Sequence, residues 1–338
     1  MGLGRSRSEI RVWDADNRHA IRPFLTPEGV TISSIGYSVD NRWLAASFYQ
    51  GSSQPESVPA RIKVWDAATG MERDTLEGHS DFIGSLAFGP DGRLASGGQD
   101  HTIRIWDLDT MRRLRTLFGH GGPVTTVAFS RDGRLASGSQ DGTIRIWDLT
   151  VGEEPVAPPI RQPKSIDNLA FSPSGRELAS ACANSVTVWD TMTMERKLVL
   201  KGHKGTIGLA YTPNGERIAT ADESGLKIWD ATTGIELLTL PGAYVQPTGA
   251  YVQPSFSPDG TRLMAGLNSS VHVWDSRPLT TEVREEYEAR AVVAFRFAAL
   301  VPRAEALRLI REDPLLRESL RARALALAKD GVSAALAH

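Results

Sequence analysis

Residues Gly92–Asp107 read GRLASGGQDHTIRIWD, and Gly133–Asp148, 41 residues later, read GRLASGSQDGTIRIWD. The near-copy belongs to a longer series. Trp-Asp pairs fall at Trp13, Trp65, Trp106, Trp147, Trp189, Trp229 and Trp274, spaced by 52, 41, 41, 42, 40 and 45 residues. They use seven of the eight tryptophans, leaving only Trp43 outside the series. A period of about 40 residues marks one supersecondary unit repeated, each too small to bury its apolar surface alone. The chain must therefore fold by stacking copies against one another.

The fourth unit shows what is stacked. PVTTVAFS is an apolar, β-branched run, RDG turns the chain, and RLASGS is a second strand. QDG is a tight turn, and TIRIWD is a third strand with Ile144 and Ile146 on one face. A fourth strand follows the Trp-Asp pair, as MRRLRTLF does in the preceding unit. The turns after the first strands are GPDG, SRDG, SPSG, TPNG and SPDG. Proline suits the second turn position because its φ is fixed, and the closing glycine accepts a positive φ.

A period of 40–45 residues, Gly-His before the first strand and Trp-Asp after the third resemble the signature of the WD-repeat β-propellers, over residues 9–275. The resemblance implies an all-β propeller of four-stranded antiparallel blades. Stacked radially, each blade buries its faces on its neighbours and leaves only short edges. It also implies a hydrogen-bond relay within a blade, from histidine to serine or threonine, aspartate and tryptophan. By position, His79, Ser96, Asp100 and Trp106 form it in unit three, and His120, Ser137, Asp141 and Trp147 in unit four. A Ser–His–Asp set also suits a hydrolase, but such a set is defined by geometry and role. This one recurs unit by unit, as a structural device would, and lacks a Gly-x-Ser-x-Gly elbow. Unit five lacks Gly-His and has Asn184 near the aspartate position. Unit six keeps Gly202-His203 and Thr220 with a shorter turn, and unit seven has LNSS there. Relay function is not expected in these three.

Composition narrows the function classes. The 338 residues carry a net charge of −2, without the basic footprint of a nucleic-acid binder. The single cysteine, Cys182, excludes an internal disulfide and points to a reducing, cytoplasmic setting. It reads as a small buried thiol. Scattered histidines form no ligand cluster, so no metal or cofactor is expected. The N-terminus has no signal-peptide core, and Gly2 with Ser6 fits only a permissive myristoylation pattern. The longest apolar stretch, ARAVVAFRFAALV, is interrupted by Arg296 and too short for a bilayer, so no membrane association is expected.

Two insertions break the rhythm. FYQGSSQPESVPA (Phe48–Ala60) lengthens the connection between strands two and three of unit two. GAYVQPTGAYVQPS (Gly242–Ser255) precedes unit seven and contains a tandem heptapeptide copy. In the family's topology both connections emerge on one rim. Loops on a rigid scaffold commonly carry function, although a replication slip in a tolerant loop is the favoured account of the tandem copy. The candidate partner-binding residues on that rim are Phe48, Tyr49, Asp81, Phe82, Gln99, His101, Gln140, Lys204, Tyr244 and Tyr251.

Ring closure is irregular. The first motif, EIRVWD, lacks the two strands that should precede it. Seven motifs point to seven sectors, the first incomplete. The alternative is six units closed by the strand in HAIRPFL, with Glu9–Asp14 left as an extra edge strand.

Residues 276–338 form a helical extension. TTEVREEYEARAVVAFRFAAL places Val283, Tyr287, Ala291, Ala294, Phe295 and Ala298 on one face. Asp313-Pro314 suits the start of another helix, with Leu316, Leu320, Ala324 and Leu327 as its stripe and Gly331 as its stop. These stripes are expected to pack on the chain's own propeller. The tail also resembles the helical endings of large bacterial WD-repeat proteins, many of which carry a Ser/Thr kinase. The expected function is a non-catalytic scaffold offering one propeller face to a protein or peptide. The alternative is the sensory or docking region of a bacterial Ser/Thr kinase system, separated from its kinase.

Overall fold

The computed structural model describes residues 9–13, 20–26, 30–50, 60–205, 208–222, 225–241, 253–267, 270–275, 289, 292–293, 303–313 and 316–330. They divide into two compact units, one of Met1–Trp13 with Ala20–Trp274 and one of Asp14–His19 with Asp275–His338.

The first unit is the propeller. Among the described residues it holds five four-stranded sheets, one three-stranded and one two-stranded. Units two to six each run through four strands from the inside outwards. Unit three, for example, comprises Ile83–Phe88, Arg93–Gly98, Ile103–Asp107 and Arg112–Leu117. Among the described residues unit seven has three: Ser255–Phe256, Arg262–Leu267 and Ser270–Asp275. These six blades carry an innermost strand, and from unit two to unit seven each innermost strand lies beside the next. The first Trp-Asp motif supplies only β1 (Glu9–Trp13) and β2 (Ala20–Leu25), paired antiparallel. Among the described residues they stand as the third and fourth strands of the first sector.

Strand alternation explains the stacking. In unit four Phe129 pairs with Leu135 and Leu135 with Trp147, so all three share one face. That face packs on Ala95, Ile103 and Ile105 of unit three. The opposite face, with Ala136, Ile144 and Ile146, packs on Ile166, Leu169 and Leu178 of unit five. The core is therefore a series of apolar layers between blades. Each blade must present the same two faces, and the repeated sentence follows from that need.

The turns behave as their glycines demand. Gly92, Gly133, Gly175, Gly215 and Gly260 have φ of 80, 88, 70, 77 and 71°, a region costly for most other residues. Asn41 fills the same place in unit two at φ 58°, and asparagine is among the few residues that tolerate it. The outer strand of unit four shrinks to Ile160–Arg161. Pro155, Pro158 and Pro159 precede it and supply no N–H for a ladder.

The innermost strands of adjacent blades are not in one sheet, and side chains join them. The Ser33 hydroxyl donates to the Ile83 carbonyl at 2.7 Å, and the Val127 N–H donates to Ser85 Oγ at 3.1 Å. Gln253, just ahead of the innermost strand of unit seven, reaches two units: its Oε1 accepts from Asn168 of unit five at 2.6 Å, and its amide donates to the Leu209 carbonyl of unit six at 3.0 Å.

The second unit holds helices α1 (Arg303–Glu312) and α2 (Glu318–Asp330). Ala289, Val293, Ile310, Leu320, Ala324 and Ala328 form its core. Helix α1 was not anticipated in the sequence. Helix α2 begins at Glu318 rather than at Pro314, and Arg321 donates to the carbonyls of Asp313 and Leu316 at 2.7 and 2.8 Å. Leu320 and Ala324 are buried as their stripe predicts, but Ala328 completes it, with Leu327 only partly covered. Val283, Tyr287, Ala291, Ala294, Phe295, Ala298 and Gly331 lie outside the described residues.

Candidate functional site

The relay residues come from four places in a blade: the approach to the first strand, the second strand, the tight turn and the third strand. In unit three they meet. Asp100 is ionised and only accepts, so the proton on the His79 ring sits on Nδ1, 2.8 Å from Asp100 Oδ2. His79 Nε2 then accepts from the Ser96 hydroxyl at 2.8 Å, and Ser96 Oγ accepts from Trp106 Nε1 at 2.9 Å. Thr102 donates twice to Asp100 Oδ1, from N–H at 3.1 Å and from the hydroxyl at 2.7 Å. Burial raises the Asp100 pKa, but the hydrogen bonds from His79 and Thr102 outweigh it and hold the carboxyl far below its ordinary value.

Unit four repeats the pattern with one change. His120 Nε2 meets Ser137 Oγ at 2.7 Å, and Trp147 Nε1 donates to the same oxygen at 2.9 Å. His120 Nδ1 lies 3.1 Å from Thr143 Oγ1 and 3.4 Å from Asp141 Oδ2. Burial pushes the His120 pKa down to about 4, against the pull of Asp141. Burial raises the Asp141 pKa, but hydrogen bonds led by Thr143 bring it to about 2. The pair is thus a neutral imidazole beside a carboxylate.

Units five and six depart from expectation. In unit five Gln162 replaces the histidine and donates to Ser180 Oγ, which also accepts from Trp189 Nε1 at 2.8 Å. Gln162 stands 18 residues before its serine, where the histidines stand 17 before theirs, and that spacing is the signal that could have found it. In unit six His203 Nε2 meets Thr220 Oγ1 at 2.9 Å, and Trp229 donates to it at 2.8 Å. Asp222, two positions earlier in its turn than the other aspartates, accepts the Lys204 N–H at 3.0 Å. The aspartates of the Trp-Asp pairs in units four and six stay outside the relay. Asp148 and Asp230 instead accept backbone N–H groups two or three residues ahead, capping the turn to the outer strand.

The relay carboxylates also hold rim backbone. Asp100 accepts the Ser80 N–H at 3.2 Å and Asp141 the Gly121 N–H at 2.7 Å. The exposed residues Asp81, Gln99, His101, Gln140 and Lys204 lie beside these fixed points. Asp81 accepts the Phe82 N–H at 2.7 Å, and the Gln99 N–H donates to the Phe82 carbonyl at 2.7 Å. Tyr49 meets Phe82 edge to face, with centroids 4.9 Å apart, so the structure gathers Tyr49, Asp81, Phe82 and Gln99 across units two and three.

Phe48 does not belong to that surface. The second strand of unit two runs Trp43–Gln50, through the start of the supposed loop. Alternation sends Phe48 to the opposite side from Tyr49. It is buried, with its ring 6.0 Å from Trp65. Tyr244 and Tyr251 lie outside the described residues. Cys182 is buried, and burial pushes its thiol pKa up, away from the reactive thiolate.

Radially stacked, four-stranded antiparallel blades around their innermost strands define a β-propeller. The chain belongs to the WD40 family, "WD domain, G-beta repeat", which matches at residues 70–107, 111–148, 161–190, 194–230 and 249–275. A chain of a solved structure titled "Crystal Structure of Mitotic Checkpoint Complex" is similar at a TM-score of 0.69 and 21% identity, over 80% of this chain and 82% of that one. Coronin-7 of Mus musculus is 36% identical over 88 residues, covering 25% of this chain and 9% of the coronin's length.

Proposed function

We propose that the protein is a non-catalytic interaction scaffold, and that the rim over units two to four is its binding face for a protein or peptide. The observation that carries this reading is the relay's double duty. The same carboxylates that close the internal network hold the backbone of the rim loops, so Phe82, Gln99, His101 and Gln140 stand on stiffened ground, with Tyr49 packed against Phe82. Pre-organised loops bind with less ordering cost. Catalysis by the Ser–His–Asp set is disfavoured by its own geometry. Ser96 and Ser137 are 0% exposed, and each oxygen already accepts an indole N–H. WD40 propellers generally serve as protein-interaction scaffolds, and the structural neighbour was solved in a complex.

Capture of a partner by the intact chain tests the reading. Tyr49→Ala combined with Phe82→Ala should weaken that partner by at least about 2 kcal/mol if the aromatic pair anchors it. Unchanged affinity in the double variant, with folding intact, would remove the binding face from this rim.

A further inference from the structure

The charge pattern beside the blade tryptophans changes sign in unit three. In units two and six the fourth-strand residue opposite the tryptophan is a glutamate, Glu72 opposite Trp65 and Glu236 opposite Trp229. Lys63 and Lys227, two residues before those tryptophans, pair with these glutamates at 2.7 and 2.8 Å. In unit three Arg104 takes the lysine's place, and Arg113 stands opposite Trp106 where those units have glutamate. Units four and five do not double the charge. Unit four has Arg145 with Pro155 opposite Trp147, and unit five has Thr187 with Arg196 opposite Trp189.

Arg104 is 9% exposed, and among the described residues its Nε and Nη1 have no hydrogen-bond partner. Its Nη2 lies 3.9 Å from Asp100 Oδ2, but that carboxylate already accepts from His79, from Ser80 and twice from Thr102. Burial, and then the neighbouring Arg113, push the Arg104 pKa down against the pull of Asp100, and a guanidinium still keeps its charge at neutral pH. The acids of the adjoining unit-two strand are engaged elsewhere. Glu77 pairs with Arg61 at 3.1 Å, and Asp74 accepts the Thr75 N–H at 2.7 Å. A buried charge short of a counter-charge is costly, and a like charge beside it adds to the cost. The place is open from outside, because Gly78 and Arg113 are exposed. A Cβ on Gly78 would stand 2.5 Å from Arg104 Nη1 and 3.5 Å from Arg113 Nη1, so the bare glycine lets both cations converge on one spot.

We propose that Arg104 and Arg113 form a receptor for a carboxylate, supplied by an acidic side chain of a protein or peptide partner. The repeat specifies the occupant. Where the lysines of units two and six find a glutamate on their own fourth strand, unit three presents two guanidinium groups and no acid. Their planar N–H forks suit the two oxygens of a carboxylate. Arg104 is the buried floor of the site and Arg113 its exposed arm. The inference deepens the scaffold reading and rests on it, by giving the partner an acidic residue. It involves neither Tyr49 nor Phe82, so failure at the aromatic pair and failure at the arginine pair are read from different variants and different ligands.

The probes are the blocked tripeptide Gly-Glu-Gly, its Gly-Gln-Gly counterpart and inorganic phosphate, titrated into the intact chain at constant ionic strength. The glutamate peptide should shift the Arg104 Nε–H resonance saturably, and the glutamine peptide should not. Arg113→Glu places a carboxylate on the chain's own strand, as in units two and six. That variant should melt a few degrees higher than the parent and bind the glutamate peptide at least tenfold more weakly. Arg196→Glu makes the same charge change at the same register position in unit five, where Thr187 offers no cation, and should show neither effect. Equal shifts from the glutamate and glutamine peptides overturn the proposal, as does a melting gain in Arg113→Glu no larger than in Arg196→Glu. Saturation by phosphate without saturation by the glutamate peptide would overturn the carboxylate assignment. A lower melting temperature on Asp74→Asn in the parent, absent in the Arg113→Glu background, would give the place to the chain's own Asp74 and overturn the proposal too.

Discussion

His120 is the residue at which solution conditions reach the fold. Its folded pKa of about 4 lies below the ordinary 6.5. Between these values the unfolded chain takes up a proton that the folded ring refuses. Its contribution is therefore neutral above pH 6.5 and becomes destabilising as pH falls towards 4. Asp141, at about 2 against 3.8, works in a lower window. Its contribution is present above pH 3.8 and is lost below it. Gln162 shows that an amide can fill the histidine's place, so His120→Gln preserves the bond to Ser137 without the titration. In urea titrations the parent should lose about 2 kcal/mol more between pH 7 and pH 5 than His120→Gln does. Parallel losses in the two proteins would show that His120 is not held neutral.

At the scale of the blade, the shared serine or threonine oxygen matters more than the group that reaches it from the rim. Ser180 Oγ receives both Gln162 and Trp189. Ser180→Ala leaves two donors unmatched inside the blade and should cost about 1–3 kcal/mol. Gln162→Ala removes one half-buried donor and should cost less, about 0.5–1.5 kcal/mol. Calorimetric melting of the two variants checks the order, and a larger loss for Gln162→Ala would contradict it. The example also shows what the sequence made legible. Strand periodicity and turn glycines follow from residue types at a fixed spacing, and the relays of units three and four from the resemblance to the WD-repeat propellers. Gln162 and Asp222 were missed because the hydrogen bond needs a donor or acceptor in a place, which several side chains can supply from a slightly shifted position. Phe48 was misplaced because an insertion's length shows where a loop exists but not how far the preceding strand runs into it. Helix α1 was missed because its short stripe was read as the space between two longer helices.

At the scale of the molecule, stability in a stacked array is approximately a sum of blade and interface contributions. The interfaces here are unequal. Units three to five have a full blade on each side, and the apolar layers between them are closed by residues with almost no exposure. Among the described residues, β1 and β2 alone pack on one side of unit two, and Val271 and Val273 of unit seven are exposed where the other units bury their counterparts. Opening should therefore begin at this seam and stop at the first complete interface. Native-state hydrogen exchange on the unliganded chain should show protection that falls from the third strands of units three, four and five (Ile103–Asp107, Thr143–Asp148 and Ser185–Asp190) to that of unit seven (Ser270–Asp275). The difference should be tens-fold in rate, because an interface short of two buried aliphatic side chains lacks about 2–4 kcal/mol of burial, part of which the mobile unfolded edge regains. Uniform protection through all these strands would mean that the ring opens as a single cooperative body, and that the exposed valines of unit seven cost the native state nothing locally.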